Sequence, residues 1–467
     1  MKNKKLWLTL IITIGIVFLL TWVIPSTSYG NGSELALGVV NPTGFWDVFY
    51  YLSMLPLWFG QNFIYILIVA IFYGVINYTG ALRILEEKIV KFFKKKEKIF
   101  LLISSSLFII VTSLTGINFP LMVFVPFIIG IVLLLGFNKI TALITTVVSI
   151  LVGTMGSLYS AVLYSALSNY MDNGIAYGWY KLGLILAGLV IVNLYLYFTS
   201  NIAKGKNKEQ FDEEMLFIAK EGQKKVKVWP LVTSFIILLV LLIIGMTPWS
   251  EAYNITIFEK IHQAIGSVKI GNFAIIKNII GSSAAAFGAW DIFDMAALIG
   301  ILTVAMIFAY KIKWQEAFKA AIDGITKMLP VAILVLLSNM TFVFVSQTGI
   351  LTTIINFFAS LTEGINVFAY SIASFIGGAL VNESYVASNV TWVFNSILSG
   401  SADLPLLLLI QQVMYGLAML VAPTSIFLLA GLSYLEVDYT KWLKKTWLLL
   451  IILATLGLMV LTLAIAL

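Results

Sequence analysis

Apolar runs of about 18 to 22 residues, the length a helix needs to cross hydrocarbon, recur along the whole chain, as at Leu6 to Ile24 and Trp447 to Leu467. Only 11% of the residues are charged against 60% hydrophobic, and the charges stand in a few clusters. No water-soluble globular protein can be assembled from that mixture. The sequence therefore predicts an all-α polytopic membrane protein.

Composition also narrows the chemistry. The absence of cysteine removes disulfides, thiolate metal sites and Cys nucleophiles, and a single histidine, His262, leaves no histidine cluster or triad. The net charge of +7 does not imply nucleic acid, because the lysines and arginines lie in the juxtamembrane clusters that set orientation. The start of the chain, basic over Met1 to Lys5 and then apolar to Ile24, resembles a secretory signal. Its apolar stretch exceeds a usual signal core, which predicts a retained first helix.

Those clusters predict topology. From Pro25 to Leu82 there is no Lys or Arg, and then Arg83, Lys88, Lys91, Lys94, Lys95, Lys96 and Lys98 follow together. Positive charge stays on the cytoplasmic side. The same rule places Lys204 to Lys227 and Lys311 to Lys327 inside. The crossings predicted in this way are 6–24, 61–80, 140–166, 179–200, 229–247, 291–310, 328–347, 404–432 and 446–466, with the N-terminus cytoplasmic in a bacterial inner membrane and the C-terminus outside.

Two stretches do not fit as ordinary crossings. Ile99 to Leu135 is apolar between two cytoplasmic flanks, and its middle reads Thr115-Gly116-Ile117-Asn118-Phe119-Pro120. Asn118 is a good N-cap and Pro120 a good first-turn residue, so one helix should end near Leu114 and another restart near Phe119. Arms of about 16 residues favour a re-entrant hairpin over 99–135, and the alternative is two ordinary helices with an external turn. The stretch 366–400 repeats the pattern, with a polar tip at Asn382-Glu383-Ser384 and flanks free of Lys and Arg.

The two halves look like copies. Tyr78-Thr79-Gly80-Ala81-Leu82 is echoed by Gln347-Thr348-Gly349-Ile350-Leu351, an offset of 348 minus 79, or 269. The same offset carries the interruption Gly153 to Ser157 onto Ala422 to Ile426, and Thr115 onto Ser384. Shared spacing of three features points to duplication. The expected organisation is a first inverted repeat (1–200), a cytoplasmic linker (201–228), a connecting crossing (229–247), an external amphipathic segment (248–290) and a second inverted repeat (291–467). Each repeat carries one re-entrant hairpin and one discontinuous transmembrane helix. An odd number of crossings inverts the second copy, the architecture of secondary transporters.

Polar groups at membrane depth are costly unless satisfied, so the four breaks are the expected site. Thr115, Asn118, Asn382, Glu383, Ser384, Thr424 and Ser425 are the candidate substrate ligands. Thr115, Asn118, Thr154, Ser157, Asn382 and Thr424 are the candidate ligands for a coupling ion, Na⁺ or H⁺, and each hydroxyl or amide also has a plain role as a cap on its own break. Glu383 differs, because an ionised carboxylate there costs roughly 2.5–3.5 kcal/mol and needs a partner. No Lys or Arg lies between Met328 and Thr440. Asp291 and Asp294 read as the solvated start of a helix, Arg83 as part of a cytoplasmic anchor, and His262 as a residue on a solvated face.

At the Thr-Gly-x-Leu segments, the two hairpins, Ala422-Pro423-Thr424-Ser425, Asn41 to Asp47 and Asp438 to Leu443, the chain resembles the YfcC family over nearly its full length. That family is grouped with anaerobic dicarboxylate carriers and basic amino acid antiporters and is similar to the ion transporter superfamily. The resemblance implies a homodimer in which a transport domain moves past a fixed scaffold, with Arg83 to Lys96 and Ile350 to Ser360 as horizontal arms. The acidic tip at Glu383 departs from the Ser/Gly-rich tip usual in the family. With no intramembrane Lys or Arg evident, that carboxylate favours an amino acid such as arginine or ornithine, moved by exchange or ion coupling, over a dicarboxylate or peptide-like substrate. The other classes are a passive channel and a membrane-embedded enzyme, and the latter lacks paired acids in suitable places.

Overall fold

The computed structural model describes residues 4–29, 35–160, 177–202, 213, 216–218, 226–270, 273–274, 278–279, 281, 283–361, 366–381, 393 and 403–466. Two short antiparallel hairpins, β1 (Thr27–Tyr29) with β2 (Leu35–Leu37) and β3 (Lys269–Ile270) with β4 (Phe273–Ala274), are its strands. The rest is helical, and among the described residues eight helices are long and apolar enough to cross a membrane.

The first half runs through α1 (Lys4–Leu20), α2 (Phe45–Tyr78), α3 (Ala81–Phe93), α4 (Glu97–Thr115), a 3₁₀ segment (Phe119–Phe124), α5 (Val125–Leu134), α6 (Lys139–Met155) and α7 (Gly178–Thr199). Between the halves stand α8 (Trp229–Met246), α9 (Trp249–Tyr253) and α10 (Ile257–Gly266). The second half has α11 (Ile292–Ala309), α12 (Trp314–Thr348), α13 (Ile350–Ala359), α14 (Val367–Leu380), α15 (Leu404–Val421), α16 (Ile426–Tyr434) and α17 (Tyr439–Ala466).

Helix α2 has 34 residues and α12 has 35, both starting well before the predicted crossings 61–80 and 328–347. At about 1.5 Å per residue each spans roughly 50 Å, more than the ~30 Å of hydrocarbon. Hydropathy located only the apolar part, because Lys319, Asp323 and Lys327 lower it over the first half of α12 without breaking the helix. Lys327 pairs with Asp323 one turn away, at 2.6 Å. The two long helices cross with backbones touching. A Cβ on Gly74 would lie 2.2 Å from the carbonyl oxygen of Ala320, and one on Gly324 2.2 Å from that of Ala70. Only glycine allows this approach, the small-residue packing common between membrane helices.

The starts of α2 and α12 differ by 269 (314 minus 45), and so do those of α3 and α13 (350 minus 81). Gly80 and Gly349, themselves 269 apart, both adopt left-handed φ, of +74° and +69°. A residue with a Cβ resists that conformation, so the same Thr-Gly turn ends both long helices.

The first predicted hairpin is asymmetric. Its first arm, α4, has 19 residues and is long enough to cross, whereas the second arm consists of six residues of 3₁₀ helix followed by the ten of α5. The helix ends at Thr115 and restarts at Phe119, with Asn118 accepting from the Phe119 N–H at 2.6 Å.

Part of the linker packs inside. Leu216, Phe217 and Ile218 are buried. Tyr434 donates to the Leu216 carbonyl at 2.9 Å, the Phe217 ring lies 5.6 Å from that of Tyr73, and the Lys327 ammonium stands 5.4 Å from the Phe217 centroid.

Candidate functional site

The first break follows Met155, where Gly156 leaves helical geometry. Leu158 N–H crosses to the Ser113 carbonyl at 2.8 Å, tying the break to the end of α4. There Gly116 has φ +74°, and a Cβ on it would fall 2.4 Å from the Tyr159 carbonyl oxygen and 3.7 Å from Ser157 Oγ. The structure thus places Ser157 beside the end of α4 that carries Thr115. Their hydroxyls serve the break itself: Thr115 donates to Val111 O at 2.6 Å and accepts from Ile117 N–H, and Ser157 donates to Tyr159 O at 2.5 Å. Thr154 donates back to Ile150 O in its own helix. Asn118 opens the 3₁₀ segment, whose Phe119 packs edge-on against Phe427 of α16 at 5.4 Å. Tyr65 and Tyr73 hold the carbonyls of Pro120 and Val123 at 2.6 and 2.7 Å.

The second break is Ala422 to Ser425. Pro423 disfavours helix at the residue before it, and Ser425 caps α16 by accepting from Leu428 N–H at 3.2 Å. Helix α17 closes the end of α15: Trp442 donates to Leu420 O at 3.1 Å and Tyr439 to Val421 O. Thr424 donates across to Ala379 O, and Thr341 to Leu380 O at 3.1 Å, so the end of α14 is gripped from two sides. Asn382, Glu383 and Ser384 lie outside the described residues.

A cavity of about 90 Å³ opens at this second break. Thr424, Tyr415, Thr341, Asn339, Asn62 and Gln61 are among its walls. Asn62 and Gln61 reach it because α2 kinks at Phe59, three residues after Pro56. Its volume is that of about three water molecules. Sequence reading passed over these amides; the visible signal was Gln61-Asn62 and Ser338-Asn339 inside otherwise apolar runs.

Two further residues join the breaks. Gln412, buried on α15, donates through Nε2 to Ser157 O at 2.6 Å and to Met155 O at 3.4 Å. It stands three residues before Tyr415, on neighbouring ground of the helix that walls the cavity. Lys181, also buried, places Nζ 3.2 Å from Leu158 O. The expectation of no basic group at depth is therefore corrected. Lys181 falls at the start of the predicted crossing 179–200, and α7, which begins at Gly178, tucks this side chain into the break. No carboxylate pairs with it among the described residues.

Other readings resolve simply. Asp291 caps α11, accepting from Phe293 N–H at 2.7 Å, and Asp294 completes the capping box. Arg83 is buried and pairs with Glu87 at 2.6 Å and Glu213 at 3.3 Å. His262 is exposed on α10. Tyr159 donates to Glu251 of α9 at 2.6 Å.

Residues 60–466 match the family model of the C4-dicarboxylate anaerobic carrier, DcuC. No curated protein matches. The YdaH transporter of Alcanivorax borkumensis, a solved structure, is similar at 12% identity over 97% of either chain, with a TM-score of 0.39. The match over most of the length agrees with the resemblance to a family grouped with anaerobic dicarboxylate carriers. With that match over most of its length, the chain belongs to the DcuC family of C4-dicarboxylate anaerobic carriers and is a multi-pass membrane transporter, not an enzyme.

Proposed function

We propose that this transporter is a secondary active carrier of small carboxylates, with a C4 dicarboxylate such as succinate as the leading substrate. The observation that carries the reading is Lys181, a buried ammonium beside the first break that, among the described residues, meets a backbone carbonyl and no carboxylate. A buried cation costs several kcal/mol without a counter-charge, and an incoming carboxylate supplies one. The substrate class that gives the family its name, C4 dicarboxylates, supports the same reading.

The helix starts recurring at a spacing of 269 support two copies in opposite orientation, with the N-terminus cytoplasmic in a bacterial inner membrane. On this reading substrate binds between the breaks, and alternating access proceeds by elevator-type movement of the broken helices in a homodimer. Na⁺ or H⁺ couples the transport. Thr424, Ser425 and the tip Asn382-Glu383-Ser384 contribute ligands, and Thr115, Asn118, Thr154 and Ser157 shape the first break.

Glu383 favours a second substrate, a basic amino acid such as arginine. Uptake of succinate and of arginine into proteoliposomes separates the two. Wild type is expected to take up succinate, and Lys181→Gln to lose roughly tenfold or more in apparent affinity, the worth of one charge-assisted contact. Arginine exchange without succinate uptake, or succinate uptake unaffected by Lys181→Gln, would overturn the dicarboxylate reading.

A further inference from the structure

Glu86 is a buried carboxyl group, 1% exposed, that the proposed substrate path does not use. It lies on the amphipathic helix α3. Its Oε2 has no hydrogen-bond partner among the described residues, and no salt bridge reaches it. Its Oε1 presses against Gly130 of α5 so closely that a Cβ there would stand 2.4 Å away. Ile218 of the linker closes the same spot, 3.7 Å from that Cβ position.

The surroundings are specific. On its own helix Glu86 is flanked by Arg83 and Glu87, and from the linker comes Glu213. Arg83 is engaged by Glu87 and Glu213, at 2.6 and 3.3 Å. Tyr73 of α2 and Tyr434 of α16 also face Glu86, and their hydroxyls donate to the carbonyls of Val123 and Leu216. Burial, outweighing the attraction of Arg83 and helped by Glu87 and Glu213, holds the carboxyl well above the usual carboxylate range.

We propose that Glu86 is a proton-binding site through which transport is coupled to H⁺. A proton needs one carboxylate oxygen. While α5 and Ile218 cover α3, the group rests as a neutral acid. When they part, water reaches it, its affinity returns toward the ordinary value of about 4.3, and the O–H bond breaks to leave a carboxylate and a proton in solution. Loading and release are thus tied to the packing of α5 on α3.

The coupling rests on the carrier reading above, so the test has two independent arms. In proteoliposomes, an imposed pH gradient is expected to drive succinate accumulation by wild type. Glu86→Gln is expected to lose roughly tenfold or more of that accumulation while keeping succinate counterflow within about twofold. Gradient-driven accumulation that is absent in a counterflow-competent wild type, or undiminished in Glu86→Gln, would overturn the proposal.

The second arm needs no substrate. Infrared difference spectra of the purified protein across a pH titration are expected to show a protonated-carboxyl band persisting to neutral pH, lost in Glu86→Gln. In Gly130→Ala, whose methyl group takes the space of Oε1, the band should titrate at lower pH. A band retained in Glu86→Gln, or an unmoved titration in Gly130→Ala, sinks the site. A band behaving as expected in a protein that moves no succinate leaves the site standing and faults the substrate reading.

Discussion

Gln412 on α15 donates its side-chain N–H to the carbonyl of Ser157, 2.6 Å away in the other half of the chain. The broken end of α6 is thus completed by a residue 255 positions later in sequence. Removing the donor leaves a buried carbonyl unpaired. Gln412→Leu is expected to destabilise the protein by about 1–3 kcal/mol. Gln412→Glu should cost more, because it turns an acceptor toward an acceptor. Thermal unfolding in detergent checks both, and a midpoint unchanged in Gln412→Leu would mean that water replaces the amide.

Thr424 and Thr154 look alike in sequence, each a hydroxyl at a break, but their bonds differ. Thr424 reaches Ala379 on another helix and lines the cavity, whereas Thr154 bonds back to Ile150. Thr424→Val is expected to reduce uptake by roughly tenfold, the loss of one bridging hydrogen bond of about 1–1.5 kcal/mol. Thr154→Val should stay within about twofold, since only a local bond goes. Equal effects on initial uptake rate would contradict the distinction.

Gly74 and Gly324 share one contact between α2 and α12. A methyl group at either position meets a backbone oxygen, which cannot rotate away, so Gly74→Ala and Gly324→Ala should each cost about 1–3 kcal/mol. Once one substitution has pushed the helices apart, the second has less to disturb. The double variant should therefore cost clearly less than the sum, a coupling that a double-mutant cycle measures.

Gly116 combines φ +74° with a close approach to Tyr159 O. Gly116→Ala pays about 1–2 kcal/mol for the left-handed backbone alone, and the clash adds to it. The result should be lower stability and a break no longer bonded to α4, visible as faster proteolysis and lower uptake. Gly15, whose Cβ position faces open space, supplies the control: Gly15→Ala should leave both unchanged.

The breaks at Gly116, Gly156 and Pro423 were legible in sequence because glycine and proline interrupt helices for local reasons. The helix start at Asp291 and Asp294 was legible as well, though not the capping box that the two carboxylates form there. The partners that complete the breaks were not legible: Gln412, Trp442 and Lys181 lie far along the chain from the carbonyls they serve, and nothing in their own neighbourhood marks them. The full lengths of α2 and α12 escaped for a different reason, because hydropathy follows the solvent and helix formation follows the backbone. The cavity amides at Asn62 and Asn339 became meaningful only when the kink at Phe59 turned one helix toward the other.

The seating of Phe217 between Tyr73 and Lys327 bears on how such a chain can be recombined. Were the connection between the halves a passive tether, any spacer of adequate reach would serve. With Leu216 to Ile218 filling interior space, chimeras that join one half to a foreign sister half must transplant this tripeptide together with its receptacle on α2, α12 and α16, or accept a hole at the junction.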